Sequence, residues 1–560
     1  PRPAQIHQRG LRLQPGQPCT LRLTLNATDT PAAPAPPTQT LTLGIKDARP
    51  PWRIHFSTPV TLSATKTTVT EASFLYEAEP DAELRFNLQD LPANATGITL
   101  QSASLRQGGT AGSPPPRLAS APHTFDYPRK RTFKTLSIPA QRDWLRFLWQ
   151  TEERYWLAMR DYLRHDLGVR SLLIGTQLGA YSIFPIQQQL DALDIHAYWQ
   201  HPEFHGDRND RNNWTVGNKS MVSDPSGAYA SYPSLYRVAG KPYLLTEYNH
   251  PSPNTYGAEA FPIISAYAAF QDWDAIFAYS WAHGVISWDA GYQTGNFDID
   301  QNPVKLVTLP LAAALFRRGD VDTPGPAHLK TIPVAPDAAL DSLRRSGTRL
   351  AADLFGGSRH EALRIPYAVR LARPGEAGAH PAPTRAPAYA WTGPITTRGG
   401  ALTWDAAPDA GLFTIRTPRT KAAIGFTRSR AHDLGGLVIR PAPNRQDWAT
   451  IALTQTLGPR IGAPGRALLI ACGDMENTGQ IWKNASKNNV TDWGHAPTLV
   501  EGIPADITLA LVAPATTLTV WALDARGQRA TPVPATITGN TAHFSIGPAY
   551  KTLWYEIHTR

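Results

Sequence analysis

The hexapeptide Thr246-Glu247-Tyr248-Asn249-His250-Pro251 lines up a carboxylate, a phenol, an amide and an imidazole directly after the apolar run Tyr243-Leu244-Leu245. Gly240-Lys241-Pro242 bounds that run on its other side, so it is too short for a helix and reads as a buried strand. A strand of this kind delivers Glu247 at its carboxyl end, where parallel sheets gather their chemistry. Glu247 is therefore the first candidate for a catalytic residue.

Further strands are expected at 171–176, 193–199 and 275–281. Their ends add Thr176 and Gln177; His196, Tyr198 and Trp199; and Tyr279, Trp281 and His283. Parallel strands bring such residues to one face although they are far apart in the chain. A carboxylate among His, Tyr, Asn and Trp side chains suits a sugar, because indoles stack on pyranose faces and polar groups take the hydroxyls. Glu247 is the candidate nucleophile, and His196, Tyr198, Trp199, Asn249, Tyr279 and Trp281 are the candidate substrate-binding residues.

Periodicity supplies the elements that position these groups. Trp144, Leu148, Tyr155, Met159 and Tyr162 recur mostly at three, four or seven residues and Gly168 follows, which predicts an amphipathic helix over about 142–167. Helices are also predicted at 258–271 and 303–317. Strands alternating with helices imply a parallel sheet, and four strands amount to half of an eight-unit barrel. On either side the pattern is period-two alternation with Gly/Pro turns, as in Leu21/Leu23/Leu25 and Thr450-Ile451-Ala452-Leu453, which reads as β-sandwich.

The expected fold class is multidomain α/β plus all-β: a partial TIM-type (β/α) barrel of about four βα units flanked by β-sandwich domains. The expected division is a carbohydrate-binding-like sandwich over 1–110, a linker over 111–140, the barrel portion over 141–322, a connecting region over 323–387 and an accessory sandwich region over 388–560.

The segments Asp194-Ile195-His196-Ala197-Tyr198-Trp199, Thr246 to Pro251 and Tyr279-Ser280-Trp281-Ala282-His283 resemble the sixth, seventh and eighth strand ends of retaining (β/α)8-barrel glycoside hydrolases, the clan that contains the family 5 cellulases. The resemblance implies that Glu247 is the nucleophile, that His196 or Tyr198 supports it and that Trp281 floors the sugar site. Such enzymes need a second carboxyl group about 5 Å from the nucleophile. In the clan this acid/base is a Glu following an Asn at the fourth strand end, and no Asn-Glu pair occurs here. Asp194, Glu203, Asp207 and Asp224 are the carboxylates nearest in sequence to the other candidates, and none ends a predicted strand.

The segment Gln5-Ile6-His7-Gln8, Trp52 and the strands up to Leu105 resemble a carbohydrate-binding jelly roll inserted between the fourth and fifth barrel strands of some members. The resemblance then implies an N-terminally incomplete member, with the missing barrel half and the acid/base upstream of Pro1. The absence of an initiator Met agrees with a processed chain or a fragment. A half barrel with open edges is expected to aggregate or dimerise.

Of the 560 residues 18% are charged, and 51 prolines and 16 tryptophans fit a proline-punctuated, largely β protein. The net charge of +9 is spread out, and Pro128-Arg129-Lys130-Arg131 reads as a solvated linker, so no nucleic-acid partner is expected. No stretch is apolar enough to span a membrane. His201-Pro202-Glu203-Phe204-His205 lacks the helical spacing of a zinc motif; no metal and no cofactor are expected. Cys19 and Cys472 stand alone, with their pairing open. The expected partner is a carbohydrate substrate, and export to the extracellular space or periplasm follows indirectly from such a substrate. The rival reading is a non-catalytic multidomain carbohydrate-binding protein.

Overall fold

The computed structural model describes residues 5–14, 17–27, 38–48, 54–63, 68–75, 82–87, 98–108, 133–134, 136–176, 185–206, 213–283, 290–346, 352–373, 375–380, 382–384, 387–408, 410–513 and 515–560. They form a mixed α/β protein with β-sandwich parts.

Seven N-terminal strands come first: β1 (Gln5–Leu11), β2 (Pro18–Ala27), β3 (Thr38–Asp47), β4 (Ile54–Ser63), β5 (Thr68–Leu75), β6 (Ala82–Asn87) and β7 (Ile98–Gln107). They make two antiparallel sheets, in the orders β1-β6-β3-β4 and β5-β2-β7. Alternation explains the packing: Leu21, Leu23 and Leu25 share one core with Leu41, Leu43 and Ile45, whereas Arg22 points to solvent. Glu83 is fully buried and is compensated by Arg9 Nε at 3.2 Å and Arg85 Nε at 2.8 Å. His55 is buried against Asp47 at 2.7 Å, and Trp52 lies outside the described residues. Cys19 belongs to this core and Cys472 to a different one; both are free thiols.

The α/β part opens with helix α1 (Ile138–Asp161), which starts four residues earlier than its apolar period suggests. Ser137 caps it, its hydroxyl accepting from Ala140 N, and a π-helical turn over Tyr162–Asp166 continues it to Gly168, where φ is +64°. Leu145 and Trp149 are the apolar side chains it buries, while Tyr155, Met159 and Tyr162 face outward.

Strands β8 (Leu193–Tyr198), β9 (Tyr243–Asn249) and β10 (Ala275–Ala278) form a parallel sheet in the order β10-β9-β8. The expected fourth strand at 171–176 is a correction. Asp191 takes both polar groups of Leu173, Oδ2 accepting from its N–H at 2.7 Å and the backbone N–H donating to its carbonyl at 3.0 Å. With those groups satisfied locally, the segment has no ladder to join. Three paired strands, not four, are present among the described residues, and Gln177 falls outside them.

Helix α2 (Ala260–Phe270) lacks a polar face, and the structure shows why. Ala260, Phe261, Ile264 and Ala268 pack on the parallel sheet, whereas Ile263, Ala266, Tyr267 and Phe270 pack on a second core. The predicted closing helix at 303–317 is broken into Pro303–Leu306 and α3 (Leu309–Phe316). The stretch 323–387, expected to be a connection, contains a parallel βαβ unit: β11 (Lys330–Val334), α4 (Pro336–Ser346) and β12 (Tyr367–Leu371). Val334, Leu343 and Val369 join the core beneath β8 and β9, so this unit belongs to the same packed body.

From 395 onward, nine-stranded and five-stranded antiparallel sheets enclose a further core. The strand Trp448–Leu457 is buried on both faces: Trp448 and Ala452 join the core that also holds one side of α2, and Ala449, Ile451 and Leu453 join the core enclosed by the two sandwich sheets. Three indoles bolt this sheet to the α/β part. Trp404 donates to Asp224 O at 3.1 Å, Trp448 to Ser220 Oγ at 3.1 Å and Trp554 to Val307 O at 3.0 Å. Among the described residues no helix is long and apolar enough to cross a membrane.

The outer face of α1 and the edge strand β10 expose large apolar groups: Phe147 is 51% exposed, Tyr155 57% and Phe277 53%. Such surface favours association. The purified chain should therefore self-associate in light scattering, and Phe147→Lys with Phe277→Lys should shift it toward monomer. A wild-type chain that stays monomeric at all concentrations would contradict this reading of the edge.

Candidate active site

Glu247 owes its position to an irregularity in the β8/β9 ladder. Leu245 pairs with Ile195, but the next pair is Glu247 with His196, so Thr246 is the extra residue. A bulge of this kind re-aims the side chains that follow it. Thr246 Oγ1 donates to Asp194 Oδ2 at 2.9 Å, which anchors the bulge one layer below the carboxylate.

Two side chains converge on Glu247 Oε2. His196 Nδ1 lies 2.9 Å away, and the Tyr198 hydroxyl donates to the same oxygen. His196 and Glu247 are about one quarter exposed, so the site is open to a ligand yet partly dry. Burial and the bond to Glu247 raise the Tyr198 phenol far above its ordinary range. The hydroxyl thus remains a donor at any physiological pH. Burial likewise raises the Asp194 carboxyl, against the bond from Thr246 and the proximity of His196.

Tyr198 also begins an aromatic cluster. Its ring meets Tyr279 at 5.7 Å, Phe297 at 5.2 Å and His201 at 5.2 Å, all edge-on. Tyr279 and Trp281 follow β10, and the Trp281 indole is 45% exposed beside them in the chain. His283 Nδ1 stands 2.6 Å from Asp298 Oδ1 and 3.0 Å from Ser280 Oγ, and its Nε2 is 3.2 Å from the Tyr279 hydroxyl. The structure thus brings His196, Tyr198 and Tyr279 together with Glu247. It adds Phe297 and Asp298, which sequence reasoning missed because they follow no strand. The signal that could have found them is the polar run from Gly291 to Asp300, which begins eight residues past His283.

Two expected contacts have other duties. Asn249 is fully buried, and its Nδ2 donates to the carbonyls of Tyr279 and Phe297, the latter at 2.6 Å. A side chain so enclosed supports the site rather than touching substrate. Trp199 lies one residue past β8 with its Nε1 donating to Lys219 O at 2.8 Å and its ring against Tyr229 and His250. It packs toward the α2 and sandwich core. His250, also fully buried, is 3.0 Å from the Tyr248 hydroxyl, and its carbonyl accepts from Lys305 Nζ at 2.6 Å. Burial lowers the Lys305 ammonium to about 7 and raises Glu259, beside His250, to about 8.

No protein-family model matches the chain, and no curated protein matches it. Among solved structures, a CBM4 structure aligns at 20% identity over 19% of this chain and 61% of its own, with a TM-score of 0.16. The C-terminal domain of EclA, a sugar-binding protein, aligns at 12% identity over 18% of this chain and 65% of its own, with a TM-score of 0.14. The chain thus spans less than two thirds of either. An arabinose-bound GH51 α-L-arabinofuranosidase aligns at 10% identity over 100% of this chain and 86% of its own, with a TM-score of 0.14. Overlaps this slight transfer neither fold nor function.

The Tyr198–Glu247 bond makes a direct prediction. In protein carrying 13C-labelled tyrosine, Tyr198 should show no ionisation up to about pH 11, above the ordinary tyrosine range. In Glu247→Gln, where the neighbouring negative charge is gone, it should titrate at lower pH. Identical titration in the two proteins would show that the bond does not form.

Proposed function

We propose that this chain carries the nucleophile side of a retaining glycoside hydrolase that cleaves O-glycosidic bonds of a poly- or oligosaccharide. The observation that carries the reading is the convergence of His196 and Tyr198 on Glu247 Oε2 at adjoining parallel strand ends. A carboxylate that accepts from a phenol and lies 2.9 Å from an imidazole nitrogen is fixed in direction, and fixing it before the substrate arrives lowers the entropic part of the barrier. With Oε2 occupied, Oε1 is the oxygen that attacks the anomeric carbon.

In this mechanism the Glu247 Oε1–carbon bond forms as the bond to the leaving oxygen breaks, and a general acid gives that oxygen a proton. Water, deprotonated by the conjugate base of that acid, then breaks the glycosyl ester and regenerates the carboxylate. The acid/base is assigned to a carboxyl group other than Asp194 and Asp298. Asp194 is 6% exposed beneath the strand end, and Asp298 is engaged by His283. The exposed Trp281 indole is the proposed sugar platform.

The unassigned acid favours one alternative, a carbohydrate-binding protein that uses the same cluster without turnover. Glu247→Gln separates the two. For the hydrolase, activity on aryl glycosides should fall roughly a thousandfold or more, with the circular dichroism spectrum unchanged. Wild-type turnover in that variant would remove Glu247 from the chemistry, and undetectable turnover in both proteins, with sugar binding retained, would favour the binding protein.

A further inference from the structure

His283 and Asp298 form a second polar group that the proposed chemistry does not use. Asp298 is well covered, with 16% of its side chain exposed, while His283 is 48% exposed, so one residue is anchored and the other presented. The 2.6 Å contact to Asp298 Oδ1 makes Nδ1 a donor, and in the tautomer protonated there Nε2 accepts from the Tyr279 hydroxyl at 3.2 Å. Phe297 fills the space between this pair and Tyr198, its ring 6.2 Å from His283 and 5.2 Å from Tyr198. The pair therefore shares a wall with the Glu247 cluster.

The loop that carries Asp298 is held from the C-terminal sandwich. An arm of four short strands leaves that domain: β13 (Met475–Thr478), β14 (Ile481–Trp482), β15 (Val490–Asp492) and β16 (His495–Val500). Asn477 on β13 is 3% exposed and clasps Gln293 in both directions, Nδ2 donating to Gln293 O at 2.6 Å and Oδ1 accepting from Gln293 N at 3.1 Å. Gln293 Nε2 in turn donates to Gly295 O at 2.6 Å and Asp298 O at 3.0 Å. A Cβ at Gly295 would stand 2.7 Å from Asp298 Oδ2, so a side chain there would displace the carboxylate. The same arm grips the loop after β8, where Val216 N donates to Asn488 O at 2.8 Å and Trp214 stacks on Trp493. A buried clasp that bonds in both directions fixes a loop in one position.

We infer that Asp298, His283 and Tyr279 form a hydroxyl clamp for a vicinal diol of the bound sugar, and that Asn477 is its positioning residue. The clamp decides which neutral sugar is accepted, and the sandwich domain, through its arm, sets the clamp. The Asp298 carboxylate and the Tyr279 phenol oxygen, whose own proton goes to His283 Nε2, are acceptors that match the donating hydrogens of two adjacent hydroxyls. The inference rests on the reading of the Glu247 cluster as a sugar site but not on its being catalytic.

The test is binding, in the Glu247→Gln background, of the methyl glycosides of glucose, galactose, mannose, xylose and arabinose, followed by ligand-observed NMR titration. At least one should bind, and its 2-deoxy or 3-deoxy analogue should bind about tenfold or more weakly, the cost of leaving site groups unpaired. Asp298→Ala and His283→Ala should each weaken binding about tenfold while the deoxy penalty shrinks. Asn477→Ala should reduce the same penalty, and Asn477→Asp, which keeps the acceptor, should partly restore it. Binding of none of the five, or unchanged selectivity in Asp298→Ala and His283→Ala, would overturn the clamp. Unchanged selectivity in Asn477→Ala alone would overturn the role of the arm. Loss of turnover in Glu247→Gln, measured separately, fails or succeeds independently of these outcomes.

Discussion

The site depends on one buried amide. Asn249 ends β9 and spends both Nδ2 hydrogens on carbonyls of two other segments, Tyr279 after β10 and Phe297 in the following loop. Those carbonyls belong to the residues whose rings press on Tyr198, and Tyr198 holds Glu247. A surface residue could not do this work, because water would compete for the donors. At 0% exposure an Asn249 amide that lost either bond would leave a buried donor unpaired, at a cost of about 1–3 kcal/mol. The strand end, the loop and the carboxylate therefore form a single mechanical unit.

Around that unit the protein uses elements buried on two sides. Helix α2 gives alternate faces to two cores, and the strand Trp448–Leu457 does the same between the second of these and the core of the sandwich. Stacked layers of this kind leave no plane along which the sandwich could slide from the α/β part. Polar bolts such as Trp448 to Ser220, which itself donates to Glu259 at 2.7 Å, set the register of the layers. The accessory region is thus placed to influence the site through its arm, although it adds no residue to the Glu247 cluster.

Much of this was legible in the sequence where local pattern and tertiary demand agree. Tyr243-Leu244-Leu245 read as a strand and is one, and the apolar 258–271 segment is the helix α2 almost to the residue. The parallel convergence of His196, Tyr198, Glu247 and Tyr279 followed from strand ends alone. Ser171 to Thr176 failed because apolar content marks burial, not pairing, and Asp191 had already taken the backbone of Leu173. Asn249 was read by its chemistry as a sugar ligand, but its position at the innermost end of β9 turns it inward. The bulge at Thr246, the clasp between Asn477 and Gln293, and the parallel unit at 330–371 are long-range pairings that no window of sequence contains.

The central claim is that Glu247 is a nucleophile aimed at an anomeric carbon. The most direct test is covalent trapping with 2,4-dinitrophenyl 2-deoxy-2-fluoro glycosides of the common neutral sugars, whose activated leaving group needs no acid. The account predicts a mass increase of one fluoro-sugar, located by peptide fragmentation on Glu247 and absent from Glu247→Gln. No adduct with any of the sugars, or an adduct on another residue, would contradict it.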